Sequence, residues 1–157
     1  MLPENVTLEL ADISNIPLYS QDLEDQPPES VRVLKEKIRG ADSVLFATAE
    51  HNFSITAVLK NAIEWGNRPG DDNTWDGKPA AVISASSGPR GGVRSQLHLR
   101  QILVDLNMYA MNKPALLLGN ASQAFDTNLR LTDERARKSL KAVLEGLVTW
   151  SARLRGT

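Results

Sequence analysis

Ser43-Val-Leu-Phe-Ala-Thr48 runs without a spacer into Ala49-Glu-His-Asn-Phe-Ser-Ile-Thr-Ala-Val-Leu-Lys-Asn-Ala-Ile-Glu-Trp65. The first segment is apolar on both faces, the pattern of a strand buried inside a parallel sheet. From about Thr56 the apolar residues change to helical spacing. Val58, Leu59, Ala62 and Ile63 then share one face, and Gly66 stands at the end. Between strand and helix lies the polar turn Glu50-His51-Asn52. A turn at the carboxyl end of a strand, just ahead of a helix amino terminus, is where open α/β sheets bind ligands. Polar residues between apolar flanks are the chemistry of a site on a rigid scaffold.

Strand and helix patterns alternate outward from this stretch. Val6, Leu8 and Leu10 alternate with Thr7, Glu9 and Ala11, which predicts a half-buried strand over 6–11. Residues 14–30 hold Pro17, Pro27 and Pro28 among several acids and read as a long exposed loop. A helix is expected over 30–39, with Val31, Leu34 and Ile38 as its stripe and Gly40 as its terminator. Residues 66–78 form a glycine-containing loop in which Trp75 is expected as a core or interface anchor. Ala80-Ala-Val-Ile-Ser84 is the next short strand. After it come Ser86-Ser-Gly-Pro-Arg-Gly-Gly92 and a helix of about fifteen residues ending near Leu106. Residues 115–118 form a further strand. A last helix starts near Thr132, with Asp133 and Glu134 placed against its dipole and Leu140, Val143, Leu144, Leu147 and Leu154 on one side. This order predicts a single α/β domain over 1–157, a parallel sheet with helices on both faces.

Composition narrows the function classes. The 157 residues suit one core, and a net charge of −1 carries no field that would draw nucleic acid or an anionic membrane. No cysteine is present, which excludes thiolate catalysis, disulfides and cysteine-ligated metals. With only His51 and His98, a histidine-rich metal centre is not expected. Apolar runs such as Ala115-Leu-Leu-Leu118 are too short to span a bilayer, and Met1-Leu-Pro-Glu-Asn5 lacks the pattern of a signal peptide. A cytoplasmic protein is the expectation.

Parallel strands put their carboxyl ends on one edge, so the turn after 43–48 and the loop after 80–84 must open together. The second loop combines Ser86 and Ser87 with Gly88, Gly91 and Gly92. Glycine lets backbone amides approach a ligand closely, and the helix beyond favours negative charge or a carbonyl oxygen. The loop is neither a dinucleotide fingerprint nor a Walker motif. Alone, it reads equally well as a ligand loop or as a plain tight turn.

At these residues the chain resembles the NADPH-dependent FMN reductase family, including its bacterial chromate and quinone reductases. The family hallmark is Pro-Glu-Tyr-Asn-x-Ser-x-Pro-Gly-x-Leu-Lys-Asn-Ala-Ile-Asp-Trp. Glu50, Asn52, Ser54, Leu59, Lys60, Asn61, Ala62, Ile63 and Trp65 match it here. A second motif, Ser-x-Gly-x-x-Gly-Gly-x-Arg followed by His-Leu-Arg-Gln, is matched by Ser86, Gly88, Gly91, Gly92, Arg94, His98, Leu99, Arg100 and Gln101. The resemblance implies a flavodoxin-like three-layer fold that binds FMN and uses NADPH or NADH. It implies reduction of quinones, free flavin or another small-molecule electron acceptor, in a homodimer or homotetramer. It places Glu50, His51, Asn52 and Ser54 against the isoalloxazine ring, largely through backbone groups, with Ser86, Ser87, Gly88, Gly91 and Gly92 as the neighbouring wall. No catalytic acid, base, nucleophile or metal is implied, because the flavin performs the redox chemistry.

Two departures stand out. The family begins with a strand, a Gly-Ser-x-Arg-x-x-Ser-x-Asn loop for the FMN phosphate, and a helix. Met1-Leu-Pro-Glu4 resembles the end of that helix, so a unit on the order of 25–30 residues is expected to be absent. The 6–11 strand would then lack its neighbour, and buried strand edges would be exposed. Three arrangements stand open: an incomplete sequence, a sheet that closes up, or a strand from a partner chain. The second departure lies inside the first motif, where Ala49, His51 and Thr56-Ala57 replace the family's proline, tyrosine and proline–glycine pair. The alternative function is a non-catalytic remnant that keeps the fold and oligomer contacts with impaired FMN binding. A receiver domain of the same topology lacks support, since no acidic cluster is visible at the strand ends.

Overall fold

Val44–Thr48 forms β1, and the apolar run Pro79–Ala85 forms β2, the centre of the sheet. The computed structural model describes residues 2–156. β2 pairs with β1 in parallel from Val44↔Ala80 to Thr48↔Ser84. Its other edge is shared by β3 (Tyr109–Ala110) and β4 (Leu116–Leu118), both also parallel. The break between them holds Asn112-Lys-Pro114, and proline has no N–H to give a ladder. β3 is an element the sequence pattern does not single out, because two residues carry no periodicity.

Alternation along the strands sorts two apolar layers. Phe46, Ala80 and Val82 pack with α1 (Glu29–Gly40), α2 (Ala57–Gly66) and α3 (Val93–Asp105), through residues such as Val31, Leu34, Ile63, Trp65, Leu99 and Leu103. Leu45, Ala81 and Ile83 face the other way, onto Val143 and Leu147 of α4 (Glu134–Arg155). The sheet therefore has helices on both faces, as expected for a three-layer α/β fold. Trp75 is the core anchor anticipated for its loop: it is buried, and its indole N–H donates to Ile63 O at 3.0 Å.

Helix boundaries follow local chemistry. The Thr56 hydroxyl accepts the Leu59 amide at α2, and the Asp133 carboxylate accepts the Ala136 amide at 2.7 Å at α4. α4 thus starts two residues beyond Thr132. In α1, Gly40 is the last helical residue, and the Ala41 amide closes the turn on Lys37 O and Ile38 O. Val58 is 43% exposed rather than buried, and Trp65 at the far end of α2 supplies the apolar volume instead.

The strand expected over 6–11 does not form. Leu8 and Leu10 are exposed, and no strand among the described residues lies beside this segment. Alternation defines which side chains share a face, but a strand needs a neighbour to take its backbone hydrogen bonds. The outer edge of β1 likewise carries no pairing strand among the described residues.

The long loop ahead of α1 is fastened more firmly than its composition indicates. Asn61 accepts the Tyr19 amide at 2.9 Å and donates to Pro17 O at 2.9 Å, while the Trp65 indole donates to Pro17 O at 2.8 Å. Tyr19 meets Trp65 edge-on. Asn61→Ala removes a partner from the Tyr19 amide and from the Ile16 and Pro17 carbonyls at once. It should destabilise the protein by about 1–3 kcal/mol in urea melts and make the loop before α1 more sensitive to proteolysis.

Candidate functional site

Because the strands are parallel, three connections open at one edge of the sheet: 49–55 after β1, 86–92 after β2 and 119–124 after β4. The first is a two-residue hairpin. His51 and Ser54 exchange both backbone hydrogen bonds, at 3.0 and 2.9 Å. Asn52 and Phe53 between them have φ of 49° and 69°. His51 and Asn52 are exposed. The Ser54 hydroxyl lies 3.1 Å from His98 Nδ1 on α3, so this turn is tied to the helix that follows the glycine loop.

Glu50 makes a stronger tie. Its side chain is only 13% exposed and turns toward α3. The carboxylate accepts the Arg94 amide at 3.1 Å and pairs with the Arg94 guanidinium. α3 begins after Gly92, which has no side chain to cap it. Glu50 therefore satisfies an orphan amide of the first helical turn from the neighbouring loop. Burial pushes the Glu50 carboxyl up, but the Arg94 amide, the Arg94 guanidinium and the Ser95 amide outweigh it and hold it below the ordinary glutamate range. The carboxylate is thus committed to α3, leaving the backbone of this turn to face outward.

The glycine loop is shaped by contacts beneath it. Gly91 has φ 61°, and a Cβ there would lie 2.6 Å from the Leu117 carbonyl carbon. Gly92 has φ 79°, and a Cβ there would lie 2.9 Å from the Ser84 side chain. The buried Ser84 hydroxyl donates to Gly91 O, Gln96 Nε2 donates to Ser84 Oγ at 2.9 Å and to Leu116 O at 2.7 Å, and Ser95 Oγ donates to Gly92 O at 2.8 Å. The third connection braces the loop from the side: the Asn120 amide donates to Gly88 O and the Ala121 amide to Ser86 O. Ser86 Oγ also donates to Gly88 O at 2.9 Å.

Above this bracing the surface is open. Ser87, Gly88 and Arg90 are exposed, and among the described residues their backbone amides meet no acceptor; the same holds for the amides of Asn52 and Phe53. A Cβ at Gly88 would meet nothing within 4 Å. The edge therefore presents two rows of uncommitted neutral donors on a rigid frame. Such donors suit the carbonyl oxygens and ring nitrogens of a flat heterocycle. The donor set fits the isoalloxazine ring of FMN. Among the described residues no cluster of His, Asp and Glu is suited to a metal ion.

The profile of the family described as NADPH-dependent FMN reductase matches residues 1–123. The chain belongs to the NADPH-dependent FMN reductase family. It is 46% identical to an NAD(P)H-dependent FMN reductase of Pseudomonas aeruginosa, over 99% of this chain and 84% of that protein. It is 46% identical to an NADPH:quinone oxidoreductase of Arabidopsis thaliana, over 95% of this chain and 76% of that one. Among solved structures it superposes on FerB of Paracoccus denitrificans, a flavoenzyme NAD(P)H:(acceptor) oxidoreductase. The TM-score is 0.84 and the identity 36%, over 92% of this chain and 80% of FerB.

Sequence reasoning brings the two main loops of this family member to one edge, and the structure does the same. It did not find the bracing residues Ser84, Ser95 and Gln96, nor the 119–124 loop. The available signal was a glutamine and a serine, Gln96 and Ser95, on the buried side of α3. A polar pair at that place must find partners: the loop supplies Gly92 O to Ser95, and the strands supply Ser84 Oγ and Leu116 O to Gln96.

Proposed function

We propose that this chain is an FMN-dependent NAD(P)H oxidoreductase that reduces quinones, free flavin or similar small acceptors. The observation that carries the reading is the pair of loops at one sheet edge, locked together by Glu50 and Arg94 and offering free amides from both. Family membership supplies the chemistry. FMN held by these loops would supply the redox chemistry, a hydride accepted from NAD(P)H and electrons given to the acceptor.

The chain's own residues bind and orient. The turn of Glu50, His51, Asn52 and Ser54 takes one side of the ring, and Ser86, Ser87, Gly88, Gly91 and Gly92 take the other. Glu50, through its carboxylate, fixes the distance between the two walls. A homo-oligomer is part of the proposal. Val93, Leu97 and Val104 form an exposed apolar stripe on α3, with Val58 of α2 also exposed. Within the chain, Arg100 donates to Met111 O at 3.1 Å and Glu64 pairs with Lys60. Among the described residues no helix is long and apolar enough to cross a membrane. A cytoplasmic location is part of the same proposal.

Purified protein supplied with FMN should oxidise NADPH when menadione is added. The rate should follow FMN concentration to saturation. Absence of turnover with saturating FMN, under both NADPH and NADH, would remove the reductase reading and leave a flavodoxin-like scaffold.

A further inference from the structure

Phe53 is the residue of the site turn that the family motif leaves unspecified, and its placement is costly. The hairpin of 51–54 puts both central residues at positive φ, 49° for Asn52 and 69° for Phe53. Turns of this kind favour Asn followed by Gly, and a bulky residue at the second place is an outlier. Core packing does not offset the strain, since Phe53 is 64% exposed. The ring is nevertheless held. The Arg94 guanidinium lies over it, 3.8 Å from the centroid, and Arg94 is itself pinned by Glu50. A strained, exposed and immobilised aromatic at the rim of a site points to a use for the ring.

We propose that Phe53 is a specificity-determining platform for planar aromatic acceptors, against which a quinone ring packs as it approaches the flavin edge. This rests on the reductase reading above. Arg94 covers one face of the phenyl ring, which leaves the opposite face and the edges available to an acceptor. Offset or edge-to-face packing needs a ring of fixed orientation, and the Glu50–Arg94 pair supplies that orientation. No bond is made or broken at Phe53. Its part is binding.

The test compares wild type with Phe53→Gly and Phe53→Tyr, using menadione and ferricyanide as acceptors. Glycine suits the left-handed turn, so Phe53→Gly should not lower the melting temperature. Its KM for menadione should rise by about threefold to tenfold, the loss expected for one aromatic contact, with no matching rise for ferricyanide. Phe53→Tyr keeps the ring and should keep the wild-type KM. Equilibrium dialysis of menadione against FMN-supplemented protein reads the same platform without turnover, and its Kd should weaken in Phe53→Gly alone. An unchanged menadione Kd in Phe53→Gly, or an equal KM loss for both acceptors, overturns the proposal. Failure of wild type to turn over, with the menadione Kd still dependent on Phe53, would count against the reductase reading and for the platform.

Discussion

Gly91→Ala should abolish stoichiometric flavin binding and destabilise the protein by about 2–4 kcal/mol. Two independent causes add. The backbone at Gly91 has φ 61°, a left-handed conformation that costs an L-residue roughly 1–2 kcal/mol. The new methyl would also lie 2.6–2.9 Å from the Leu117 and Leu118 backbone, which belongs to β4 and cannot move without disturbing its pairing to β2. The loop must therefore lift. Lifting breaks the Ser84 bond to Gly91 O and tips the amides of Ser87, Gly88 and Arg90 out of register. Urea unfolding measures the first effect, and an FMN titration measures the second. A variant as stable as wild type, with unaltered FMN affinity, would show that this loop does not require its observed shape.

Glu50→Ala is the second large effect, and it should damage both loops from one position. The substitution leaves the Arg94 amide uncapped, frees the guanidinium over Phe53 and detaches the 49–55 turn from α3. The melting temperature should fall by several degrees, and FMN affinity by more than tenfold, because both walls lose their spacing. Glu50→Gln is informative for pH. The Glu50 carboxyl is held below its ordinary range when folded, so its contribution is complete above the unfolded glutamate pKa of about 4.3. It is lost as pH falls through the lower, folded value. The stability gap between wild type and Glu50→Gln should thus be constant near neutrality and shrink on acidification. A gap that widens in acid would contradict an ionised, paired Glu50.

The sheet is legible because β1 and β2 are continuous apolar runs, although only β2 is buried along most of its length and β1 is buried only at Phe46 and Thr48. Parallel pairing then brings Glu50-His51-Asn52 and the 86–92 loop to the same edge with no further information. What was hidden depends on pairing across distance. Glu50 meets Arg94, 44 residues away, and no spacing rule connects them. Gln96 finds its partners in Ser84 Oγ of β2 and Leu116 O of β4, 12 and 20 residues away. Residues 6–11 show the reverse: a convincing alternation with no strand beside it to complete the ladder. Val58 fits the helical stripe by count, yet α2 buries Trp65 in preference.

The central claim is that the 49–55 turn and the 86–92 loop form one flavin-binding face. Amide hydrogen exchange, recorded with and without saturating FMN, tests it most directly. The account predicts FMN-dependent protection concentrated at the amides of Asn52, Phe53, Ser87, Gly88 and Arg90, which meet no acceptor among the described residues, with the buried strands unchanged. Protection at neither loop, or protection confined to another face such as α4, would contradict it.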